Sequence, residues 1–497
     1  MTVERRTVLK GGAAAAAALA GGPFQGLLSS SAGAAPPNAA HRELRPIPDQ
    51  RDGMVRLHLP EDFSYRSFHD TEFPVTLTDG TRLPGRHDGM GAFPGPNGNV
   101  ILVRNHEITN SPNTPAFGPG TPYDAQAGAG TTTMEVTPFG EVVDGTSFTS
   151  LNGTMFNCSG GVMPWGSWIT CEETINGPDV GPDFTGASNL GLQKPHGYIF
   201  EVPADGQSAR EPITRAGRFA HEAVSFDPKD GILYLTEDNF EFPSGFYRYI
   251  PQTNPMETGR LDNEGRLQML AVKGEPNIHL EARQRHRATY DVEWVDIPNP
   301  NPTFPFTPGQ PAPTTNDAAL VAVGDQGRAQ GAALFSRLEG QVYDNNVVFF
   351  TSTQGGGPAE DDTDDDNANG FGRGNGQVWA YHTRSQKLQI LFQAPVDPAE
   401  ANLRFDFPDN ITTSASGTLV VCEDSTIDNY IRGLSRGGQL WDIGLNRLVS
   451  QLNGAPRFGD EFAGSTFSPD GQTLFINIQA SRGMTFAIWG PWQKIGV

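Results

Sequence analysis

A phrase that returns along the chain constrains its fold more than any other feature. Six short runs of β-branched and aromatic residues each end in polar side chains: NVILVRNHE (99–107), GSWITCEE (166–173), GILYLTED (231–238), NVVFFTST (346–353), TLVVCED (418–424) and QTLFINIQ (472–479). Such runs, bounded by turn residues, read as strands. The turns SFDPKDG, SASG and FSPDG precede the third, fifth and sixth. A second phrase, glycine followed by an aromatic or aliphatic strand, alternates with the first: HGYIFEV (196–202), SGFYRYI (244–250), NGQVWAY (375–381) and GGQLWDI (437–443). Turn, strand, polar end, loop and Gly-aromatic strand, repeated with irregular insertions, predict an all-β chain folded as a β-propeller with six blades. The step from Glu107 to Cys171 is 64 residues, from Cys171 to Glu237 66 and from Ser352 to Glu423 71. From Glu237 to Ser352 it is 115, which leaves room for an insertion or a seventh blade. ALVAVGD (319–325) also reads as a strand and keeps seven open.

With 59 Gly and 40 Pro in 497 residues, long helices are not expected. PNPNPTFPFTPGQPAPTTN (298–316) is Pro-rich and reads as an exposed extended insertion within one domain spanning 35–497. Residues 1–34 stand apart. MTVERRTVLK carries Arg5 and Arg6, then comes GGAAAAAALAGG and a small-residue site at Ala32-Gly33-Ala34. The apolar run is too short and too rich in glycine and alanine for a transmembrane helix, and the whole has the anatomy of a twin-arginine signal. The alternative is a disordered N-terminus that happens to contain Arg-Arg. The signal implies export to the periplasm or beyond, the export machinery as a transient partner, and no membrane anchor after cleavage. That route carries folded proteins, which raises the expectation of a metal or cofactor.

The formal charge is −22. Removing Glu4, Arg5, Arg6 and Lys10 with the signal takes away a net +2 and leaves −24. That argues against nucleic acid or anionic membrane as a partner and suits oxygen ligation of cations such as calcium. An ordinary acidic exported protein would have the same average charge, so positions must decide. Nothing in the sequence asks for a large interface, and a monomer is the default.

If the first set of strands is innermost, their polar ends converge on a central channel. His106 and Glu107, Cys171 to Glu173, Glu237 and Asp238, and Glu423 and Asp424 would meet there. Carboxylates crowded together repel one another unless cations neutralise them, so the ring predicts metal. His221-Glu222 precedes another strand. Arg337 and Glu339, two apart on an extended segment, share a face, so the carboxylate could meet a metal while the guanidinium holds an oxyanion. Each element has a plainer reading: a surface pair, a salt bridge, a packed thiol. Cys158 and Cys422 read as buried small hydrophobes. An odd count of three cysteines leaves at least one thiol unpaired or otherwise used. AEDDTDDDNANG (359–370) offers Asp362, Asp364 and Asp366, but Asn367 stands where an EF-hand needs glycine and no glutamate closes the loop, so it reads as a solvated acidic loop.

PWGSWITCEET, GRFAHEAVSFDP, YLTEDN, FSRLEG and EFAGSTFSPDGQTLFINIQ together resemble the PhoX family of exported bacterial alkaline phosphatases, in that family's order. Leu338 in FSRLEG and the TEDN phrase depart from its commoner pattern. The resemblance implies a β-propeller with Fe3+ and Ca2+ in a central site that hydrolyses small phosphate monoesters. It implies Cys171 as the iron-binding thiolate, Glu222 and Glu339 as metal ligands, and Arg337 with Glu339 as the catalytic pair. Glu107, Glu172, Glu173, Glu237, Asp238, Glu423 and Asp424 follow as further calcium or supporting carboxylates. A calcium-dependent propeller hydrolase acting on diesters, phytate-like compounds or lactones would need no thiolate. A non-enzymatic binding propeller would use metal for stability alone.

Overall fold

The computed structural model describes residues 43–108, 114–360, 370–395 and 405–497. The signal at 1–34 and the acidic loop residues Asp362, Asp364, Asp366 and Asn367 lie outside them. Nearly all regular structure is antiparallel strand. β1 (Arg45–Pro48), β2 (Val55–Leu59) and β3 (Ser64–Phe68) come first. β4 (His87–Pro94), β5 (Val100–His106), β6 (Ala129–Val136) and β7 (Phe148–Thr154) form one sheet, and β8 (Asn157–Met163), β9 (Ser167–Glu172) and β10 (Ile199–Pro203) the next. β11 (His221–Asp227), β12 (Ile232–Glu237), β13 (Phe246–Pro251), β14 (Gly265–Val272) and β15 (Thr289–Asp296) follow. Pairing of β15 with β19 (Lys387–Gln393) joins them to β16 (Leu338–Asp344), β17 (Val347–Ser352) and β18 (Gln377–His382) in a nine-stranded sheet. β20 (Pro408–Thr413), β21 (Leu419–Glu423), β22 (Tyr430–Leu434) and β23 (Leu440–Asn446) are extended at their edge by β2 and β1. β24 (Glu461–Phe467), β25 (Thr473–Gln479) and β26 (Met484–Trp489) take β3 as their fourth strand.

The arrangement is propeller-like. The first strand of each repeat packs on the next in the cycle β4, β8, β11, β16, β20, β24 and back to β4. This corrects the sequence expectation, because the β-branched runs are β5, β9, β12, β17, β21 and β25, the second strands. The reason is room. A Cβ on Gly89 of β4 would lie 2.6 Å from the Cys158 carbonyl oxygen, and one on Gly340 of β16 would lie 2.8 Å from that of Asp409. Backbones that approach so closely demand small residues, so the axial strands lose the bulky signature by which strands are read. Bulk sits between the sheets instead, where Phe246 stacks on Phe350 at 4.4 Å and Trp168 packs with Val103 and Phe200.

The Gly-aromatic phrases are the third strands β10, β13 and β18, but GGQLWDI is the fourth strand β23. The long step between the third and fourth β-branched runs holds an insertion with no further repeat. ALVAVGD there is not a strand: it falls across two short helices, Asn316–Leu320 and Gly324–Arg328, the first capped by Thr315 Oγ1 accepting from Ala318 N. Alanine and a good N-cap favour helix at that point. Among the described residues no helix is long and apolar enough to cross a membrane.

Candidate metal centre and cavity

Every first strand carries the same distortion. Pairing slips by one residue between His87 and Met90, Asn157 and Gly160, His221 and Val224, Leu338 and Gln341, and Pro408 and Ile411. In β24 the slip comes later, between Ala463 and Thr466. A bulge re-aims the side chain it contains. In the first five strands the residue just inside the slip is Asp88, Cys158, Glu222, Glu339 or Asp409; in β24 Glu461 opens the strand. All six are buried.

The carbonyls of four of these residues are held by the second strand of the preceding repeat. Asn105 Nδ2 donates to Cys158 O (2.9 Å), Thr236 Oγ1 to Glu339 O (2.7 Å), Thr351 Oγ1 to Asp409 O (2.5 Å) and Asn477 Nδ2 to Asp88 O (2.5 Å). The stitching fixes the ring backbone independently of what its side chains do.

Two donor groups form on this ring. Cys158, Glu173 and Glu222 offer ligand atoms within 4.8 Å of one another, as do Glu222, Glu339 and Asp409, so Glu222 belongs to both. Neither carboxylate oxygen of Glu222 or Asp409 accepts a hydrogen bond from nitrogen or oxygen; Asp88 meets the adjacent Gly89 N–H and Glu461 the Asp424 carboxyl, and one oxygen each of Glu107, Glu173, Glu237 and Glu339 is unpartnered. Buried polar atoms without partners are rare and call for an explanation. Burial, and then neighbouring carboxylates, push the pKa values of Asp88, Glu173, Glu222, Glu339, Asp409 and Glu461 well above the ordinary range; the Cys158 thiol eases this at Glu222 only in part. Burial likewise raises Glu107 and Asp424 to about 7. Orphaned hard oxygens beside one soft sulfur fit a cluster of cations.

The paired acids at the ends of the second strands divide by strand alternation. In Glu172-Glu173, Glu237-Asp238 and Glu423-Asp424 the first member turns back into its own sheet. Glu172 accepts from Met155 N, Gly197 N, Tyr198 N and His196 Nδ1. Glu237 accepts from Gly245 N and Tyr247 OH, and Glu423 from Asp406 N and Arg432 Nε. The second member faces the ring, as does Glu107, which Arg86 and Gln479 contact. His106 is absorbed locally by Gly85 O and Thr132, whereas His221 engages Gly217 O through Nε2 and leaves its buried Nδ1 without a hydrogen-bond partner.

Cys171, expected from the resemblance to be the thiolate, is in neither donor group. It lies buried in β9, and its carbonyl is an acceptor for the Cys158 thiol at 3.8 Å. The bulge in β8 brings Cys158 to the ring instead. The sequence reading of Cys158 as a buried small hydrophobe is right about its burial but does not place it beside Glu173 and Glu222. The shared phrase of acid or cysteine followed by a small residue, in HDG, NCS, HEA, LEG and PDN, would have found it.

Arg337 stands at the meeting of ring and cavity. Its Nε and Nη2 donate to Asp238 (2.8 Å at the shortest), Nη2 lies 2.8 Å from Glu339 Oε1, and the guanidinium is 5.7 Å from the Phe240 ring centroid. Its backbone is left-handed (φ 36°), a strained state for a residue with a Cβ and a recurrent feature of functional sites. Arg337, Asp238 and Glu173 line a cavity of about 540 Å³ whose rim includes the end of the Pro-rich insertion, residues 312–316.

Comparison with known proteins decides the family. The chain matches the family described as alkaline phosphatase PhoX over residues 43–146 and 138–481. It belongs to the PhoX family. It is accordingly a phosphoric ester hydrolase, of a metal-dependent family. PhoX of Pseudomonas fluorescens, solved in complex with vanadate, a transition-state analogue, shares the fold at a TM-score of 0.64, with 16% identity, 93% of this chain and 99% of that one covered. A gluconolactonase of Xanthomonas campestris (13% identity, 90% and 99% covered, TM-score 0.37) and virginiamycin B lyase of Staphylococcus aureus (12%, 86% and 99%, 0.36) are more distant, and their TM-scores are too low to bear on this chain. No curated protein matches it.

Proposed function

We propose that this PhoX-family member hydrolyses phosphate monoesters at a cluster of iron and calcium held by the axial ring. The observation that supports it is the pair of donor groups sharing Glu222, with Glu173 reaching from one of them into the cavity that Arg337 lines. Cys158, Glu173 and Glu222 would hold iron, since a soft thiolate favours it, and Asp88, Glu107, Asp409, Asp424 and Glu461, all oxygen, suit calcium. Cations held there would neutralise the acids and polarise the phosphoryl oxygens of a bound ester. Arg337 contacts the phosphoryl group through the guanidinium edge that Asp238 and Glu339 leave unengaged, and those two carboxylates keep its fork in one orientation.

The same reading takes six blades, supported by the closed cycle of first strands, in a single domain spanning 35–497. It takes twin-arginine export of a monomer to the periplasm or beyond, supported by the sequence alone.

The test is hydrolysis of a chromogenic phosphate monoester by natively exported protein, before and after calcium chelation, alongside its visible absorption. Activity that falls on chelation and returns with calcium, with an iron–thiolate band lost in Cys158→Ala but kept in Cys171→Ala, is the expected result. A colourless, metal-loaded protein with full activity would overturn the iron assignment, and one without activity the monoesterase reading.

A further inference from the structure

Beyond the phosphoryl site, the cavity is built from two segments that the repeats do not require: the loop after β9, around residues 181–186, and the insertion before β16, at 312–320. They are tied to one another. Gly181 N donates to Thr314 O (2.8 Å), and Asn316 Nδ2 donates to Asn176 Oδ1 (3.3 Å), whose Nδ2 in turn donates to Asp183 Oδ2 (3.0 Å). The wall is therefore assembled before any ligand arrives.

Its chemistry is one-sided. Phe184, half of whose surface is exposed, stands on the rim with Phe240 and the ring of Pro313. Asp183, Glu241 and Asp317 edge the same space. Arg337, committed to the phosphoryl end, is the only cationic side chain among the described residues that line it. A leaving group in this space meets aromatic faces, which reward apolar carbon, and a fringe of carboxylates, which repels a second anionic group.

We propose that this rim selects among monoesters, admitting phosphates of neutral, apolar alcohols and rejecting those whose alcohol carries further anionic groups. This rests on the phosphatase reading above. The rim acts in binding, so the discrimination falls mainly on KM.

The experiment compares matched pairs on the metal-loaded protein: benzyl phosphate against ethyl phosphate, whose leaving alcohols are similar in acidity, and a hexose monophosphate against its bisphosphate. Expected are kcat/KM ratios of roughly tenfold in favour of benzyl and roughly tenfold in favour of the monophosphate at low salt, the second shrinking as salt is raised. Phe184→Ala lowers the benzyl-to-ethyl ratio toward one. Glu241→Gln with Asp317→Asn raises kcat/KM for the bisphosphate severalfold and removes most of its salt dependence. Hydrolysis of all four esters with equal kcat/KM would overturn the rim's role while leaving the phosphatase reading intact. Hydrolysis of none would overturn both. Should the Phe184 variant fail to fold, the charge variant and the salt series on the unaltered protein still decide.

Discussion

Glu172 and Glu222 are both fully buried glutamates, in neighbouring sheets, and their surroundings are opposite. Glu172 accepts from three backbone N–H groups and a histidine. Glu222 meets no nitrogen or oxygen donor and faces Asp409 and the other ring acids. Burial alone therefore says nothing about role; the donors around a carboxylate do. Where the fold supplies N–H groups the charge is part of the architecture, and where it supplies none the charge awaits a cation.

The largest effect should come from Glu222→Gln. Because it removes the ligand shared by both donor groups, kcat should fall on the order of a thousandfold, with loss of bound metal by elemental analysis. In the chelated protein the same variant should melt higher than the parent, since a repelling buried acid is gone. A lower melting temperature without metal would erase the contrast with Glu172.

Glu172→Gln should do the reverse. Breaking a buried ion pair leaves His196 beside Asp124 alone, at a cost of about 3 kcal/mol in denaturant unfolding, while the folded fraction keeps its metal. Metal loss at unchanged stability would place Glu172 with the ligands after all.

The pH profile sharpens the same pair. Burial tends to lower the pKa of His196, but Glu172 at 2.6 Å and Asp124 at 3.6 Å outweigh it and raise it to about 9. A histidine raised in the folded state contributes stability that is fully present below the unfolded value near 6.5 and lost as pH climbs through about 9. The loss should be on the order of 3 kcal/mol, read from denaturant midpoints across that window. In His196→Gln this slope should flatten.

The smallest effects should fall on the stitching. Thr351→Val, which removes the hydrogen bond to Asp409 O, should cost about 1 kcal/mol and weaken metal binding severalfold, measured by competition with a chelator. An unchanged metal affinity would mean that the bulges alone position the ring.

Much of this was legible in the sequence. The second strands announced themselves because their side chains pack between sheets, where bulk and β-branching are favoured, and their terminal acids pointed to the axis. Arg337 and Glu339 do meet, Nη2 lying 2.8 Å from Oε1, but Arg337 stands just before β16 with a left-handed backbone and not on the extended segment their spacing suggests. The axial strands were not legible, since close backbone contact empties them of large side chains and leaves HDGMG or NCSGG looking like turns. Cys171 closes a legible strand beside two acids and sits in the phrase that carries the resemblance, whereas Cys158 reads as a buried small hydrophobe; in the fold it is Cys158 that lies with Glu173 and Glu222. Which member of each acid pair faces the ring also needed three dimensions, because it depends on hydrogen-bond donors such as Gly197 and Tyr198 some 25 residues away.

The pairing of β3 with β26 has a consequence for the order of events in folding. The sheet that contributes Glu461 borrows its outer strand from residues 64–68, so the circle shuts only when two segments far apart in the sequence find each other. Until then Asp88 and Glu461 have no fixed neighbour on one side, and an unclosed chain offers no complete cage. Closing the circle and completing the donor ring are thus one event, and a cation held there would act as a clasp between segments far apart in the sequence.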